Sequence, residues 1–249
     1  MTNVTHPSII PWGGGLAFPY YFLRAFDNFF TYSQRIMARA KKIPGTTVSR
    51  LSVYVRALQK MRNEGIVTTS SEKLAEQIGL TAAQIRKDLA YFGQFGVPGR
   101  GYYVENLHNE LAMILGINRR WEVALAGVGH LGYALLAYNG FKKQGFDVVV
   151  AFDKDPAKIG QTWEGVKIYD IAEARSVLPE SGAEIGIIAV PAASAQEACD
   201  ALVAGGLKSI LSFAPGRIIG PPDVTVKRVD LAMELEWLSY YATNVGERG

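Results

Sequence analysis

Six consecutive residues, Gly127-Val128-Gly129-His130-Leu131-Gly132, carry the pattern G-x-G-x-x-G, and an acid, Asp153, follows 21 residues after the last glycine. Those types at that spacing suit one task, the binding of a dinucleotide. Gly127 permits a tight turn, Gly129 lets backbone approach a pyrophosphate, and Gly132 lets a helix pack on a strand. The helix start behind them offers unpaired N–H groups and a positive dipole end to the phosphates. Asp153 stands where a carboxylate accepts hydrogen bonds from the adenosine ribose hydroxyls. The same charge repels a 2′-phosphate, so NAD(H) is expected rather than NADP(H).

The elements that must position these residues are present and in order. Val123-Ala124-Leu125-Ala126 reads as a buried parallel strand that runs into the glycines. Residues 133–144 read as a helix, and residues 148–152 as a second strand ending on Asp153. A glycine-rich βα turn occurs without any ligand, so the glycines alone are a weak sign. Strand, glycines, helix, strand and acid in register are a strong one. Beyond them, Lys167-Ile168-Tyr169 and residues 185–190, 209–213 and 224–229 read as strands, with helices over 171–178 and 194–204. That alternation specifies an α/β Rossmann domain, a doubly wound parallel sheet whose ligand sits at the carboxyl ends of the strands. Val190-Pro191 and Phe213-Ala214-Pro215 stop two strands at that edge and are expected to line the nicotinamide half.

A chain of 249 residues has room for this domain and one more. The expected division is an atypical, disordered extension over 1–42, a DNA-binding domain over 43–117, the Rossmann domain over 118–231, and a dimerisation helix and tail over 232–249. Within the extension, three successive glycines, two prolines, Arg24 and Asp27 spoil a membrane span, and a signal peptide would need a basic start. Residues 1–36 read as a dispensable, over-extended translation start, with Met37 as the natural one. With no span and no leader, a cytoplasmic location is expected. Cys199 is the sole cysteine and falls on an apolar helical stripe with Ala195 and Leu202, which excludes a disulfide framework and favours a packed core thiol.

Charge separates the two halves. Residues 37–120 carry 13 Lys and Arg against 6 Asp and Glu, whereas residues 121–249 carry 11 against 16. A basic segment joined to an acidic nucleotide domain suggests a polyanionic partner for the former. Its pattern agrees. Leu51, Tyr54, Val55, Leu58 and Met61 make a helical stripe, Ser70-Ser71-Glu72-Lys73 caps a short second helix, and Thr81 caps a third over 82–92. Helix, tight turn and capped helix form a helix-turn-helix. In the third helix Ile85 and Leu89 face inward, leaving Gln84 and Arg86 for base edges and Lys87 and Tyr91 for phosphates. The run Gly96-Val97-Pro98-Gly99-Arg100-Gly101 then reads as a wing with Arg100 at its tip. A helical protein-interaction module with a solvated charged face would show the same helices. At the other end, residues 232–241 form a helix apolar on most of its circumference, which predicts a homodimer in which it packs against, or is swapped into, the second subunit. Docking on its own domain is the alternative.

An enzyme reading requires an acid or base beside the nicotinamide. His6 lies in the extension, His108 on a helix before the nucleotide domain, and His130 beside the pyrophosphate. No catalytic residues are assigned, and no metal site is expected. A small NAD-dependent oxidoreductase with an accessory helical domain remains the alternative, as does a nucleotide-binding interaction module without DNA affinity.

The chain resembles the redox-sensing transcriptional repressor Rex family over residues 43–241. The likeness rests on Ile43-Pro44, Arg50-Leu51, Tyr54, Ile85-Arg86-Lys87-Asp88-Leu89, Tyr91-Phe92-Gly93 and Gly99-Arg100-Gly101-Tyr102. It continues through the glycine run, Ala151-Phe152-Asp153, Phe213-Ala214-Pro215 and Val229-Asp230-Leu231. His130 and Ser212 stand where the family has asparagine. The resemblance implies a homodimer on a palindromic double-stranded DNA operator when NADH is scarce, released when NADH closes the dimer, with NAD(H) a regulatory ligand and no catalytic substrate. It further implies a switch network of Arg50, Tyr138 and Asp230.

Overall fold

Pro44 lies in extended backbone, and helix α1 starts at the next residue and runs over Gly45–Asn63. That is six residues before the apolar stripe begins at Leu51, because Thr47 in the first turn is buried by a polar contact rather than an apolar one. The computed structural model describes residues 43–97 and 99–244. The expected extension over 1–42, Pro98 of the wing and residues 245–249 lie outside the described residues. The described chain divides into two compact units, which part between Leu115 and Gly116.

In the N-terminal unit α1 is followed by β1 (Thr68–Thr69), α2 (Ser71–Ile78), α3 (Ala82–Ala90), β2 (Tyr102–Tyr103) and α4 (Val104–Leu115). Both expected caps form. Ser70 accepts from the Lys73 N–H and Thr81 from the Gln84 N–H, each satisfying one orphan donor of a first turn. Gly79, at φ 67°, takes the left-handed conformation between α2 and α3 that a side chain resists. Leu51, Tyr54 and Leu58 from α1, Leu74 from α2, Ile85 from α3 and Leu111 from α4 are completely buried, or nearly so, and make the core. Antiparallel β1 and β2 close the base of the wing, pairing Thr68 with Tyr103.

In the C-terminal unit the strands are β3 (Trp121–Ala126), β4 (Phe146–Asp153), β5 (Thr162–Trp163), β6 (Val166–Asp170), β7 (Ile185–Ile188), β8 (Ser209–Ser212) and β9 (Thr225–Arg228). They form one sheet in the order β5-β6-β4-β3-β7-β8-β9, parallel throughout except for the β5–β6 pair. The strand order reverses between β3 and β7, so the carboxyl ends of these two strands open the crevice of a doubly wound sheet. Strand β3 is apolar on both sides because both faces are covered. Ala124 and Ala126 join Leu178, Cys199 and Leu202 on one face, and Val123 and Leu125 pack with Leu135 and Leu136 on the other. Cys199 is a buried core thiol, as expected.

Three elements differ from the sequence reading. The helix expected over 133–144 is two helices, α5 (His130–Ala137) and α6 (Asn139–Lys143), broken at Tyr138, whose ψ of 93° is extended. The Tyr138 ring folds back over Gly140, where a Cβ would lie 2.3 Å from it, and meets Phe141 edge-on. The helix expected over 171–178 begins as a turn of 3₁₀ helix at Ile171–Glu173, capped by Asp170, and becomes α7 over Ala174–Ser181. Strand β5 was not expected. It forms a hairpin with β6 through Glu164 and Gly165, both at positive φ, as a two-residue hairpin turn requires. Helix α8 (Ala192–Ala204) follows β7. The last helix, α9 (Leu231–Asn244), buries none of its residues in this chain and leaves Leu235, Trp237 and Tyr240 exposed. No helix among the described residues is long and apolar enough to cross a membrane.

Candidate dinucleotide site and DNA-facing helix

Successive backbone bonds lock the strand ends in step. Gly127 N–H donates to Phe152 O at 2.7 Å, Ala189 to Ala126 at 2.8 Å, Phe213 to Ile188 at 2.9 Å and Val229 to Ser212 at 2.8 Å. The glycine run, Val190-Pro191 and Phe213-Ala214-Pro215 therefore leave the sheet at neighbouring strand ends on the carboxyl edge. Gly127, at φ 94°, turns tightly against the next segment, and a Cβ there would lie 2.6 Å from Ala189 O and 2.5 Å from Val190 Cγ1. At Gly132 a Cβ would meet Gly127 O at 2.0 Å. Gly129 is the opposite case: a Cβ there meets nothing within 4 Å. Its open face lies at the start of α5, whose first turn receives no side-chain cap. Unpaired N–H groups beside a face free of side chains fit a pyrophosphate. His130 and Leu131 begin α5, both exposed, and Val128 is buried.

Asp153 closes the loop from β4. One carboxylate oxygen accepts the Val128 N–H at 2.8 Å, and the other accepts the Lys154 and Asp155 N–H groups at 2.8 and 3.0 Å. Lys158 Nζ lies 3.1 Å from the first oxygen, a neighbour the motif does not disclose. Burial works to raise this carboxyl, but the Asp155 and Val128 N–H bonds and the Lys158 ammonium outweigh it and hold it below the ordinary value. Asp153 is thus ionised and fixed in direction, as recognition of ribose hydroxyls requires. Ser212 is fully buried and its Oγ accepts the Ala214 N–H at 3.1 Å, which fixes the turn into Phe213-Ala214-Pro215.

These contacts predict opposite outcomes at two glycines. Gly132→Ala drives a Cβ into backbone and is expected to distort the loop, with NADH binding lost and a lower melting temperature. Gly129→Ala, at φ −83°, meets only open space and is expected to melt like wild type while binding NADH more weakly. Thermal melts and NADH fluorescence titrations on the two variants check the pair.

In the N-terminal unit the centre of α3 is a residue that the sequence reading assigned no role, Asp88. Its side chain is 1% exposed and accepts from Arg50 Nε at 2.6 Å, Arg50 Nη2 at 2.8 Å, Tyr54 Oη at 2.7 Å, Thr47 Oγ1 at 3.2 Å and Gln84 Nε2 at 2.9 Å. Burial alone would raise the Asp88 carboxyl, yet the bonds from Arg50, Tyr54 and Gln84 hold it below the ordinary value. Burial, with Asp88 alongside, pushes the Tyr54 phenol up, so it stays a donor. One signal was available in the sequence. Asp88 falls on the same face as the inward Ile85 and Leu89, where a carboxylate demands partners.

The expected DNA-facing residues are disposed unevenly. Lys87 is exposed and Tyr91 half-buried at the end of α3. Gln84 is half-committed to Asp88. Arg86 was expected to project freely, but it is bound to Ser71 Oγ and to Glu72 Oε1 of α2, both at 2.7 Å. Arg100 of the wing donates to Tyr103 Oη at 3.3 Å. Of the expected switch residues, Arg50 is held by Asp88. Tyr138 sits at the break between α5 and α6 and is 58% exposed, and Asp230 Oδ1 accepts the Ala232 N–H as α9 begins. Among the described residues no group of three or more His, Cys, Asp and Glu side chains gathers in a way that would hold a metal ion.

Comparison with known proteins matches both units. A family model described as "CoA binding domain" covers residues 118–216, and one described as "Putative DNA-binding protein N-terminus" covers residues 42–90. The chain is 47% identical over 207 residues to the redox-sensing transcriptional repressor Rex of Desulfitobacterium hafniense, covering 83% of this chain and 97% of that one. It is also 47% identical to the protein of the same name from Carboxydothermus hydrogenoformans, over 80% of this chain and 96% of that one. Among solved structures, RSP in complex with beta-NAD+ and operator DNA is similar at a TM-score of 0.75 and 34% identity, covering 84% of this chain and 100% of that one. RSP in complex with beta-NADH is similar at 0.73 and 34%, covering 83% and 97%.

Proposed function

Because the chain belongs to the Rex family of redox-sensing transcriptional repressors, we propose that it binds a palindromic operator as a homodimer and leaves it when NADH binds. The observation that carries this reading is the pairing, in one chain, of an intact glycine loop with its Asp153 and a capped helix-turn-helix bearing a wing. It is a regulator, not an enzyme, since its named relatives are repressors. A protein of this kind works in the cytoplasm, where operators and NAD(H) meet.

Gly127, Gly129 and Gly132 hold the turn, the first turn of α5 with Val128, His130 and Leu131 receives the pyrophosphate, and Asp153 takes the adenosine ribose. Val190, Pro191, Phe213, Ala214 and Pro215 flank the nicotinamide. Bound NAD(H) supplies no reaction here, only unequal binding energy toward two arrangements of the dimer. NADH must favour the released arrangement more than NAD+ does, because a ligand shifts an equilibrium only by its differential affinity. Gln84, Arg86, Lys87, Tyr91 and Arg100 face DNA, and half-sites one duplex turn apart make operator binding sensitive to any rotation between subunits. The exposed apolar face of α9 is covered by the second subunit.

Arg50, Tyr138 and Asp230 form the switch. The Tyr138 ring packs over Gly140 yet is largely exposed, so it moves at little cost. Gly140→Ala is therefore expected to displace the ring, leave the melting temperature near wild type, and change the NADH concentration that releases operator. The function itself is tested by operator binding at fixed salt without cofactor, with NAD+ and with NADH. Release by NADH but not by NAD+ is expected. Binding indifferent to NADH, or no specific duplex at all, would overturn the reading.

A further inference from the structure

Arg86 reaches back to α2 through a single nitrogen. Its Nη1 donates to Ser71 Oγ and to Glu72 Oε1, both at 2.7 Å. That nitrogen carries two hydrogens, and both are spent. Among the described residues the Nε hydrogen and the two Nη2 hydrogens remain, and Nε and Nη2 lie along one edge of the planar guanidinium. A complete two-donor edge is thus kept for a paired acceptor, and among base edges in the major groove the O6 and N7 of guanine make that pair.

The anchor is built to hold still. Ser71 is 6% exposed, and its hydroxyl also lies 3.3 Å from Glu72 Oε1. Both residues sit in the first turn of α2, directly after the capping Ser70, where the helix dipole favours a carboxylate. The Arg86 contact, foremost, keeps the Glu72 carboxyl ionised, at about 2. A carboxylate on a surface that meets phosphates repels every duplex alike, so general affinity gives no reason for Glu72 to be there.

We propose that Glu72 and Ser71 are specificity-determining positioning residues, which hold Arg86 so that its Nε–Nη2 edge reads one guanine in each operator half-site. The proposal rests on the assignment of α3 to the major groove made above. Glu72 acts in two ways that separate experimentally. Its charge weakens binding to all DNA by a common factor, and its hold on Arg86 sharpens discrimination at one base pair only.

The test uses the full chain and an operator selected from random duplexes. Affinity is measured at fixed salt for that operator, for versions in which each G·C pair in turn becomes A·T, and for an unrelated duplex of equal length. Wild type is expected to lose roughly tenfold to a hundredfold at the guanine that Arg86 reads. In Glu72→Gln, whose side chain is 60% exposed and so removable without unfolding, that loss is expected to shrink several-fold, while other positions keep their values. The unrelated duplex is expected to bind more tightly. Ser71→Ala is expected to relax the same position without that general gain. In an Arg86→Ala background, Glu72→Gln is expected to leave discrimination unchanged.

A common factor across all duplexes in Glu72→Gln would overturn the proposal, leaving Glu72 a charge and nothing more. If Arg86→Ala alone changed no affinity, the placement of α3 on DNA would fail, and this proposal with it.

Discussion

Asp88→Ala is expected to destabilise the N-terminal unit by about 3–5 kcal/mol, the usual result of removing one partner from a buried ion pair. The carboxylate accepts from four side chains, and two of its donors, Tyr54 and Thr47, are buried where water cannot replace it. An unfolding transition monitored by circular dichroism on the full chain should fall by more than roughly 10 °C. The C-terminal unit makes none of these bonds, so NADH binding should persist at low temperature. A melt within 2–3 °C of wild type would show that Asp88 is dispensable. The direction with pH follows from the depressed carboxyl of the folded state. A depressed value contributes stability that is fully present above the unfolded carboxyl value, about 3.9, and is lost as pH falls through the folded one. Acid titration of wild type should therefore weaken the N-terminal unit below about pH 4. Asp88→Asn should lack that component of the loss.

The second large effect is expected on DNA. Replacing Arg86 and Lys87 together with alanine should lower operator affinity roughly a hundredfold or more, since a bidentate base contact is lost in both half-sites of the dimer. The slope of affinity against salt should also flatten by about two, one for each Lys87 phosphate contact removed. NADH affinity and the melting temperature should stay near wild type, because both side chains are exposed and neither belongs to the core. Retained operator affinity would mean that α3 is not the reading helix. Loss of NADH binding as well would mean that the variant had not folded.

Most of the architecture could be read from period and punctuation. Alternating strands and helices after Trp121 specified a doubly wound sheet, because a strand buried on both faces must be apolar throughout, and the observed order of seven strands realises it. Ser70, Gly79 and Thr81 marked the turn between α2 and α3, since caps and left-handed glycines act within four residues. The break at Tyr138 escaped that reading. The run from Tyr133 to Gln144 holds one breaking signal, the turn-favouring pair Asn139-Gly140, and the Tyr138 ring lies in the space that a side chain at 140 would fill.

The sequence by itself determined the ligand chemistry. Two glycines of the loop are required by the backbone, Gly127 by its φ and Gly132 by contact, whereas Gly129 leaves open space that only a ligand would use, and Asp153 is placed by strand length. It also determined which helix carries Gln84, Arg86 and Lys87. What each charge is bound to was decided by the tertiary structure only. Arg86 meets Glu72 from 14 residues away, Arg50 meets Asp88 from 38, and Lys158 meets Asp153 across a turn. Long polar side chains reach whichever partner the packing of helices brings near, and helical or strand period carries no information about that distance. Local chemistry is written in spacing, whereas the pairing of charges is settled only once the core has closed.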